Sequence, residues 1–278
     1  MYKNIAIIGM GKFGTKLFEK FNDLTDIKFI CDNKIEDLKK HKIKLSDNYE
    51  KILPEIDLAI IATPSNTHYD IAKNCLLNKK NIFIEKPISP NLEEAKELIK
   101  IAKEKNLNLY IDNVFLFREA YQGLKNYISD RKIEKIKFTW RKYGTFDDSI
   151  FNALLYHDIY LLIDLLKEHE IENIEILNSN NNILNLKFKY NKTLIEFEYD
   201  RIYKGKEKII TIALRNEIVE WNNDKLIINN KEVLTETEDA LNTMISDFLD
   251  NKVNFKENNS LALKTINHID KIKNSILG

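Results

Sequence analysis

The stretch Ile5–Gly14, which reads IAIIGMGKFG, decides the fold of this chain. Its four apolar residues indicate a buried strand, and the pattern G-x-G-x-x-G follows at Gly9, Gly11 and Gly14, before apolar positions at helical spacing. A strand, a glycine turn and a helix in this order can hold a dinucleotide diphosphate on backbone N–H groups at the positive end of the helix. We therefore expect a Cβ at Gly9 or Gly11 to push such a diphosphate away.

Asp32 supports this interpretation, because it follows the next apolar run, Ile27–Cys31, eighteen residues after Gly14. A carboxylate at this place can accept hydrogen bonds from the hydroxyls of an adenosine ribose, whereas a 2′-phosphate would meet its negative charge. No arginine follows it, only Asn33 and Lys34. The sequence therefore favours NAD over NADP as the cofactor.

Composition limits the partners that the chain can have. The 278 residues are 44% hydrophobic, which is enough for a sizeable core and two domains. Its 43 basic and 43 acidic side chains cancel, so we expect neither nucleic acid nor a membrane surface as a partner. With no leader before the first strand and no apolar stretch of ~20 residues, we expect a cytoplasmic protein. Cys31 and Cys75 fit reduced, packed thiols, and no residues have metal-ligand spacing, so we predict no metal.

Strand and helix patterns alternate over the first 115 residues or so and predict an α/β Rossmann domain, with a doubly wound parallel sheet, over residues 1–117. The predicted strands are Ile5–Ile8, Ile27–Cys31, Leu58–Ala62, Asn81–Glu85 and Leu107–Asp112, and the clearest crossover helices are Asp70–Leu77 and Leu92–Lys105. Because such sheets bind ligands at the carboxyl ends of their strands, we expect Gly9, Asp32, Thr63, Glu85 and Asp112 to meet at one crevice.

After a linking helix around 118–129 the pattern changes to alternating strands, which predict an α+β domain with an open, mostly antiparallel sheet over residues 118–278. The predicted strands are Lys135–Lys142, Ile183–Tyr190, Thr193–Tyr199, Lys208–Leu214, Ile218–Trp221 and Lys225–Ile228, with polar turns at Asn191-Lys192 and Asn229-Asn230. The predicted helices are Asn152–Leu166, Glu238–Leu249 and Ser260–Leu277.

Two strand ends of the first domain carry polar motifs. In Ala62–His68, Pro64 ends the strand, and either Ser65 or Asn66 is expected to cap the following helix. This segment is either a simple turn or a loop against the nicotinamide or its ribose. In Glu85-Lys86-Pro87, the proline keeps the backbone of Lys86 extended, and a lysine facing the crevice can stabilise an alkoxide that develops as hydride leaves.

In the second domain, Tyr156-His157-Asp158 lies in a predicted helix. Side chains of adjacent helical residues point about 100° apart, so His157 and Asp158 are expected to act separately. Because histidine titrates near neutrality, His157 is a candidate general base for a hydroxyl proton. The alternative is a histidine that is simply hydrogen-bonded in the structure.

The order of these motifs resembles the Gfo/Idh/MocA family of NAD(P)-dependent sugar dehydrogenases through residues 1 to about 120. The resemblance implies a Rossmann domain, a sugar or nucleotide sugar bound between domains, and subunits paired through the open sheet as a homodimer or homotetramer. It implies that Lys86 and His157 are catalytic. The expected cofactor contacts are Gly9, Gly11, Lys12, Phe13, Gly14, Asp32, Thr63, Pro64, Ser65, Asn66, His68, Glu85 and Lys86. The expected substrate contacts are Lys86, Arg118, Tyr143 and Asp158.

One position departs from the family pattern. Many members carry Asp-x-x-x-His in the second domain, but the position four residues before His157 is Ala153, with Asn152 beside it. Either Asp148 or Asp158 could replace the missing carboxylate. The favoured function is an NAD-dependent dehydrogenase for a secondary hydroxyl of a sugar, such as a nucleotide-linked or amino sugar of polysaccharide synthesis. The alternatives are a catalytically silent relative that binds NAD or a sugar, and an enzyme that retains its cofactor for a redox-neutral reaction.

Overall fold

The computed structural model of the protein describes residues 2–38, 43–144 and 148–277. The chain divides into two compact units. Unit 1 consists of Met1–Asn113 and Leu241–Leu263, and unit 2 of Val114–Ala240 and Lys264–Gly278. Of the helices in the part of the chain that is described, none combines the length and apolar composition needed to cross a membrane.

Unit 1 is built on a six-stranded parallel sheet of order β3-β2-β1-β4-β5-β6. Its strands are β1 (Ile5–Ile8), β2 (Ile27–Cys31), β3 (Lys44–Ser46), β4 (Leu58–Ile61), β5 (Asn81–Ile84) and β6 (Leu109–Ile111), and its helices α1 (Lys12–Leu24), α2 (His68–Leu77) and α3 (Leu92–Glu104). The order reverses on either side of β1, as in a doubly wound sheet. The predicted α/β class of this half is therefore confirmed, and β3 is the strand that the prediction missed.

Aromatic side chains form much of the core of unit 1. Phe21 of α1 and Phe83 of β5 meet edge to face with their ring centroids 5.1 Å apart. Phe248 belongs to α6 (Ala240–Leu249) and lies 5.2 Å from Phe83 and 5.5 Å from Tyr110. Buried aromatic rings contribute large apolar areas, so these contacts explain why a segment so late in the chain folds with the first sheet.

The outer edge of β6 is covered by a side chain from α7 (Phe255–Leu277). Asn258 accepts a hydrogen bond from the backbone N–H of Ile111 at 2.8 Å and donates to its carbonyl at 2.9 Å. A strand edge presents unpaired backbone groups, and this amide satisfies one donor and one acceptor at once.

Unit 2 is built on an eight-stranded sheet of order β14-β13-β12-β11-β7-β10-β9-β8. Its strands are β7 (Ile133–Lys142), β8 (Ile171–Ser179), β9 (Ile183–Tyr190), β10 (Thr193–Asp200), β11 (Lys206–Leu214), β12 (Ile218–Asn222), β13 (Lys225–Ile228) and β14 (Lys231–Thr235). Every pair is antiparallel except β7 with β10. The predicted mostly antiparallel sheet is confirmed, although β8 and β14 were not predicted.

The register of the central strands sets which side chains share a face of this sheet. Trp140 of β7 pairs with Lys208 of β11 on one side and with Tyr199 of β10 on the other. On the next strand, Trp221 pairs with Ile210, which is two residues beyond Lys208. Because paired residues share a face and alternate residues repeat it, Trp140, Lys208, Tyr199 and Trp221 all belong to one face.

The helices of unit 2 include α4 (Glu119–Ile128) and α5 (Tyr156–Leu166). The predicted helix Asn152–Leu166 is only partly right, because a π-helical turn at Phe151–Leu155 precedes α5. A π turn joins residues five positions apart instead of four. Here the backbone N–H of Tyr156 bonds to the carbonyl of Phe151, five residues earlier, directly before His157.

Candidate functional site

The glycine loop after β1 is packed against backbone on two sides. Gly9 has a φ of +95°, and a Cβ there would lie 2.7 Å from the carbonyl carbon of Ala62. A Cβ on Gly14 would lie 2.0 Å from the carbonyl oxygen of Gly9. Both glycines are therefore required by the fold of the loop. This differs from the expected reason for Gly9, since its Cβ would meet the end of β4 and not a ligand.

Gly11 is the glycine of this loop that borders open space. A Cβ built on it meets nothing within 4 Å, and its φ of −65° is ordinary for any residue. It caps α1, whose first residues are Lys12 and Phe13, and no side chain caps the helix there. The first N–H groups of a helix carry a partial positive charge and seek an acceptor. An open position with such donors fits the diphosphate of a dinucleotide.

Asp32 follows β2 and is held against the glycine loop. Its carboxylate accepts hydrogen bonds from the backbone N–H of Met10 at 2.7 Å and of Lys34 at 2.8 Å. The Met10 N–H is thus already occupied. A carboxylate has about four acceptor positions, so Asp32 can still accept bonds from ribose hydroxyls. The residues present therefore fit the adenosine end of NAD.

The loop after β4 is tied to the segment after β5 by His68. The Nδ1 atom of His68 lies 2.7 Å from the carbonyl oxygen of Pro87, and Nε2 lies 2.8 Å from that of Thr63. The side chain is 1% exposed. The predicted capping by Ser65 or Asn66 is wrong, because α2 begins at His68 and Thr67 stands at the cap position. The Thr67 hydroxyl instead donates to the carbonyl of Pro64.

Glu85 and Lys86 follow β5 directly. The Glu85 carboxylate accepts a hydrogen bond from the Lys86 backbone N–H at 2.7 Å. Burial raises the pKa of Glu85 to about 7, although the neighbouring Lys86 charge and this hydrogen bond lower it. The Lys86–Pro87 peptide is cis. The next residues of the chain continue into the buried Ile88 and Ser89, which anchor the segment.

All five strand ends named in the sequence lie on the same edge of the parallel sheet. Gly9, Asp32, Glu85 and Asp112 each follow the last residue of their strand, and Thr63 lies two residues beyond β4. Asn113 was not among the predicted residues. Its side chain is fully buried, and within the described residues neither polar atom of its amide has a hydrogen-bond partner. A buried amide at this edge is a further candidate for ligand binding.

In unit 2, His157 lies in the first turn of α5 among aromatic rings. The centroid of its ring is 4.5 Å from that of Phe115 and 5.5 Å from that of Trp140. Its Nδ1 atom lies 3.4 Å from the Tyr160 hydroxyl, which is at the long limit for a hydrogen bond. His157 is partly exposed, so it can both contact a ligand and exchange protons.

Lys208 reaches the same group of rings from β11. Its Nζ atom lies 2.8 Å from the centroid of the Phe115 ring, 4.3 Å from that of Trp140 and 5.1 Å from that of Trp221. The face of an aromatic ring attracts a cation. We call Phe115, Trp140 and Trp221 the aromatic cage. Sequence reasoning missed all four residues. The register of the sheet brings Trp140, Lys208 and Trp221 to one face, and Phe115 joins them from the turn Val114–Phe117.

The two carboxylates proposed to replace the one missing at Ala153 have partners of their own in unit 2. Asp158 is 2% exposed and accepts a hydrogen bond from the Tyr199 hydroxyl at 2.8 Å. Burial raises its pKa to about 6, against the opposing effects of Lys208 and of the Tyr199 hydrogen bond. The Asp148 carboxylate accepts a bond from the Asn152 amide at 2.9 Å.

The two remaining predicted substrate residues differ in their surroundings. Arg118 donates to the carbonyl of Asn223 at 3.0 Å and forms an ion pair with the largely buried Glu236. Both partners belong to unit 2, so these contacts hold Arg118 within that unit. Tyr143 follows β7 and is 71% exposed.

Comparison with known proteins gives a family match for the first part of the chain. Residues 3–113 match the family model of the Gfo/Idh/MocA proteins, an oxidoreductase family with an NAD-binding Rossmann fold. The matched region contains the glycine loop, Asp32, His68 and Lys86. This region is thus similar to an NAD-binding Rossmann domain.

Among characterised relatives, the UDP-N-acetylglucosamine 3-dehydrogenase of Acidithiobacillus ferrooxidans is 25% identical over 169 residues, which are 59% of this chain and 54% of the relative. The myo-inositol 2-dehydrogenase of Thermotoga maritima is 29% identical over 140 residues, 47% of this chain and 42% of the relative. The chain thus matches about half the length of these relatives. The solved structure of the A. ferrooxidans enzyme has a TM-score of 0.86 at 19% identity, covers 97% of this chain and 96% of its own, and shows a shared fold.

Proposed function

We propose that this chain belongs to the Gfo/Idh/MocA oxidoreductase family and oxidises a secondary hydroxyl of a sugar or nucleotide sugar with NAD. The observation that carries the proposal is the open position at Gly11, where the uncapped first turn of α1 meets the glycine loop held by Asp32. Two relatives that act on a nucleotide sugar and on a cyclic polyol support the substrate class.

The proposed chemistry is divided between the two units. Bound NAD would supply the hydride acceptor. His157 would accept the proton of the substrate hydroxyl, because an imidazole near neutral pH can act as a general base. Lys86 would donate a hydrogen bond to the same oxygen and stabilise its developing negative charge. The hydroxyl proton thus ends on His157.

NAD rather than NADP is part of the proposal. A 2′-phosphate would lie against the Asp32 carboxylate, which already faces the loop through its bonds to Met10 and Lys34. The negative charges of the phosphate and of the carboxylate would repel each other. We therefore expect Asp32→Ala to raise the KM for NAD and to narrow the preference for NAD over NADP, measured as the ratio of the two kcat/KM values.

Turnover assays with a panel of sugars and nucleotide sugars test the activity. Reduced-cofactor absorbance should appear with NAD, and Lys86→Met and His157→Asn should each lower kcat by about 100-fold or more. Lys103→Met, which changes an exposed lysine of α3, should leave kcat unchanged. Full turnover in either site variant would remove that residue from the mechanism.

Titration calorimetry with NAD and NADH, read together with turnover, separates the proposed dehydrogenase from a catalytically silent protein and from a redox-neutral enzyme. Ala153, which stands where many relatives have aspartate, favours a catalytically silent protein as the second candidate. Heat of NAD binding without turnover across the panel would support it, and NAD(H) that copurifies with the protein would support a redox-neutral enzyme. No heat with either NAD or NADH would contradict the whole proposal.

We also propose a homodimer or homotetramer formed through the open sheet of unit 2. Support comes from the resemblance to the Gfo/Idh/MocA family. One face of β7 and β10 carries charges that pair within the chain, Lys135 with Glu196 at 2.7 Å and Lys137 with Glu198 at 2.6 Å. Sedimentation should give a mass of two or four chains. Replacing both glutamates by lysine should give monomers by like-charge repulsion, with circular dichroism as the control for folding.

A further inference from the structure

Lys208 and His157 contact the same aromatic rings. The Lys208 ammonium lies 2.8 Å from the centroid of the Phe115 ring, and the His157 ring centroid lies 4.5 Å from the same point. The cation and the imidazole are therefore separated by no more than these two distances together. Trp140 also contacts both side chains. The geometry thus fixes a positive charge close to the candidate base.

A cation close to an imidazole disfavours its protonation, because the imidazolium adds a second positive charge. Around these groups water is replaced in part by the rings of the aromatic cage, which screen charge less than water does. The ring faces at the same time attract the ammonium and keep it in place. The charge of Lys208 therefore acts on His157 from a fixed position.

We propose that Lys208 is a positioning residue that acts through His157: its charge keeps the imidazole unprotonated at neutral pH, the state in which it can accept a substrate proton. The catalytic consequence rests on the function proposed above, whereas the effect on the protonation of His157 does not.

Other titratable groups near His157 act more weakly or in opposition. On its own helix, the Tyr160 hydroxyl lies 3.4 Å from Nδ1 and is neutral over the range in which histidine titrates. The ionised form of Asp158 would favour the imidazolium and oppose Lys208. Its carboxylate accepts a hydrogen bond from Tyr199 of β10. Burial raises its pKa to about 6 although the Lys208 charge lowers it, so Asp158 is largely ionised at pH 7 and opposes Lys208 there.

Two further groups complete the surroundings. The Arg118 guanidinium lies 5.9 Å from the centroid of the Trp221 ring, which is the cage ring nearest to it, and its charge is shared with Glu236. Phe115 and Trp140 contact His157 and carry no charge.

Nuclear magnetic resonance can test the effect directly on the full chain. Long-range proton–nitrogen spectra follow each imidazole during a pH titration, and the His157 signal is the one absent from His157→Asn. In the unchanged protein we expect His157 to titrate below about 6.5, the ordinary value for histidine. In Lys208→Met, which keeps the length of the side chain, we expect an upward shift of about one pH unit or more.

Two control variants separate charge from packing. Lys208→Arg keeps the cation and should leave the His157 titration close to that of the unchanged protein. Lys206→Met removes an exposed lysine two residues earlier on β11 and should also leave it unchanged. If Lys208→Met does not fold, Lys208→Gln provides the same comparison with a polar side chain.

The outcomes are distinct. An unshifted His157 in the folded neutral variant, or a His157 that titrates above about 6.5 in the unchanged protein, would overturn the proposal. In a protein that turns over, the acidic limb of kcat/KM should move upward with the His157 titration. If His157 shifts and no sugar is oxidised, the proposed function fails while the effect of Lys208 stands.

Discussion

The two units hold their candidate site residues in different ways. In unit 1, short contiguous segments do so. The carbonyl oxygen of Gly9 leaves no space for a Cβ on Gly14, five residues later, and the Glu85 carboxylate accepts a hydrogen bond from the N–H of its neighbour Lys86. In unit 2, His157 contacts Phe115 and Trp140, and Lys208 reaches the same rings because the register of the sheet pairs it with Trp140. Local backbone geometry can be predicted from sequence, whereas register-dependent neighbours cannot.

Gly14→Ala should produce the largest effect and tests the local character of unit 1. A Cβ on Gly14 would lie 2.0 Å from the carbonyl oxygen of Gly9, which is backbone and cannot rotate away. We expect a loss of about 3 kcal/mol in the free energy of unfolding of unit 1 and no measurable NAD binding. Urea denaturation and calorimetry measure the two effects.

Gly11→Ala is the matched control for this change. Its Cβ would meet no atom within 4 Å, so the free energy of unfolding should stay within about 0.5 kcal/mol. NAD affinity should still fall by about tenfold, because the methyl group enters the space that fits the diphosphate. A Gly14→Ala protein as stable as Gly11→Ala would show that the loop is not held as described.

Sequence reasoning located most strands of both sheets and missed three: β3, β8 and β14. All three are edge strands. An edge strand pairs on one side only, and β14 (Lys231–Thr235) is largely exposed. Such strands therefore lack the apolar alternation on which the prediction depends. The strands inside the sheets were predicted to within a few residues, because neighbouring strands cover both of their edges.

The residues of the candidate site also fall into a group that the sequence predicts and a group that it does not. The glycine loop and Lys86 were identifiable because glycine and proline restrict the backbone at known positions. The aromatic cage and Lys208 gave no local signal. The π turn before α5 also escaped prediction, since its apolar spacing resembles that of an α-helix over so few residues.

His68→Phe should produce the next largest effect, again in unit 1. The change keeps a ring but removes the N–H that a neutral imidazole donates to one of the two carbonyls, of Thr63 or of Pro87. Burying an unpaired carbonyl costs about 1 to 3 kcal/mol, so we expect a loss of about 2 kcal/mol in the free energy of unfolding and a higher KM for NAD. Tyr69→Phe, at the next position of α2, serves as the control and should cost less than His68→Phe.

Each unit also holds one buried carboxyl whose pKa is raised, to about 7 for Glu85 and about 6 for Asp158. Between the ordinary value and the raised one, the folded protein keeps a proton that the unfolded chain releases. The free energy of unfolding therefore falls as the pH rises through this window, by at most about 3 kcal/mol for each group.

Glu85→Gln should remove this pH dependence from the transition of unit 1, and Asp158→Asn from that of unit 2. Urea denaturation between pH 4 and pH 8, followed by fluorescence of Trp140 and Trp221 for unit 2 and by circular dichroism for the whole chain, measures both. An unchanged slope in Glu85→Gln would show that its carboxyl ionises normally in the folded state.

Lys192→Gly should produce the smallest effect and tests how local geometry acts in unit 2. Asn191 and Lys192 form the two-residue turn between β9 and β10, with φ values of 49° and 67°. Lysine in this left-handed region costs about 1 kcal/mol that glycine does not, so the melting temperature should rise by about 2 °C to 4 °C. Asn230→Gly, in the equivalent turn between β13 and β14, is the matched control, because Asn230 at φ 64° already tolerates this conformation. An equal gain in both variants would mean that the backbone preference of the replaced residue does not decide the stability of these turns.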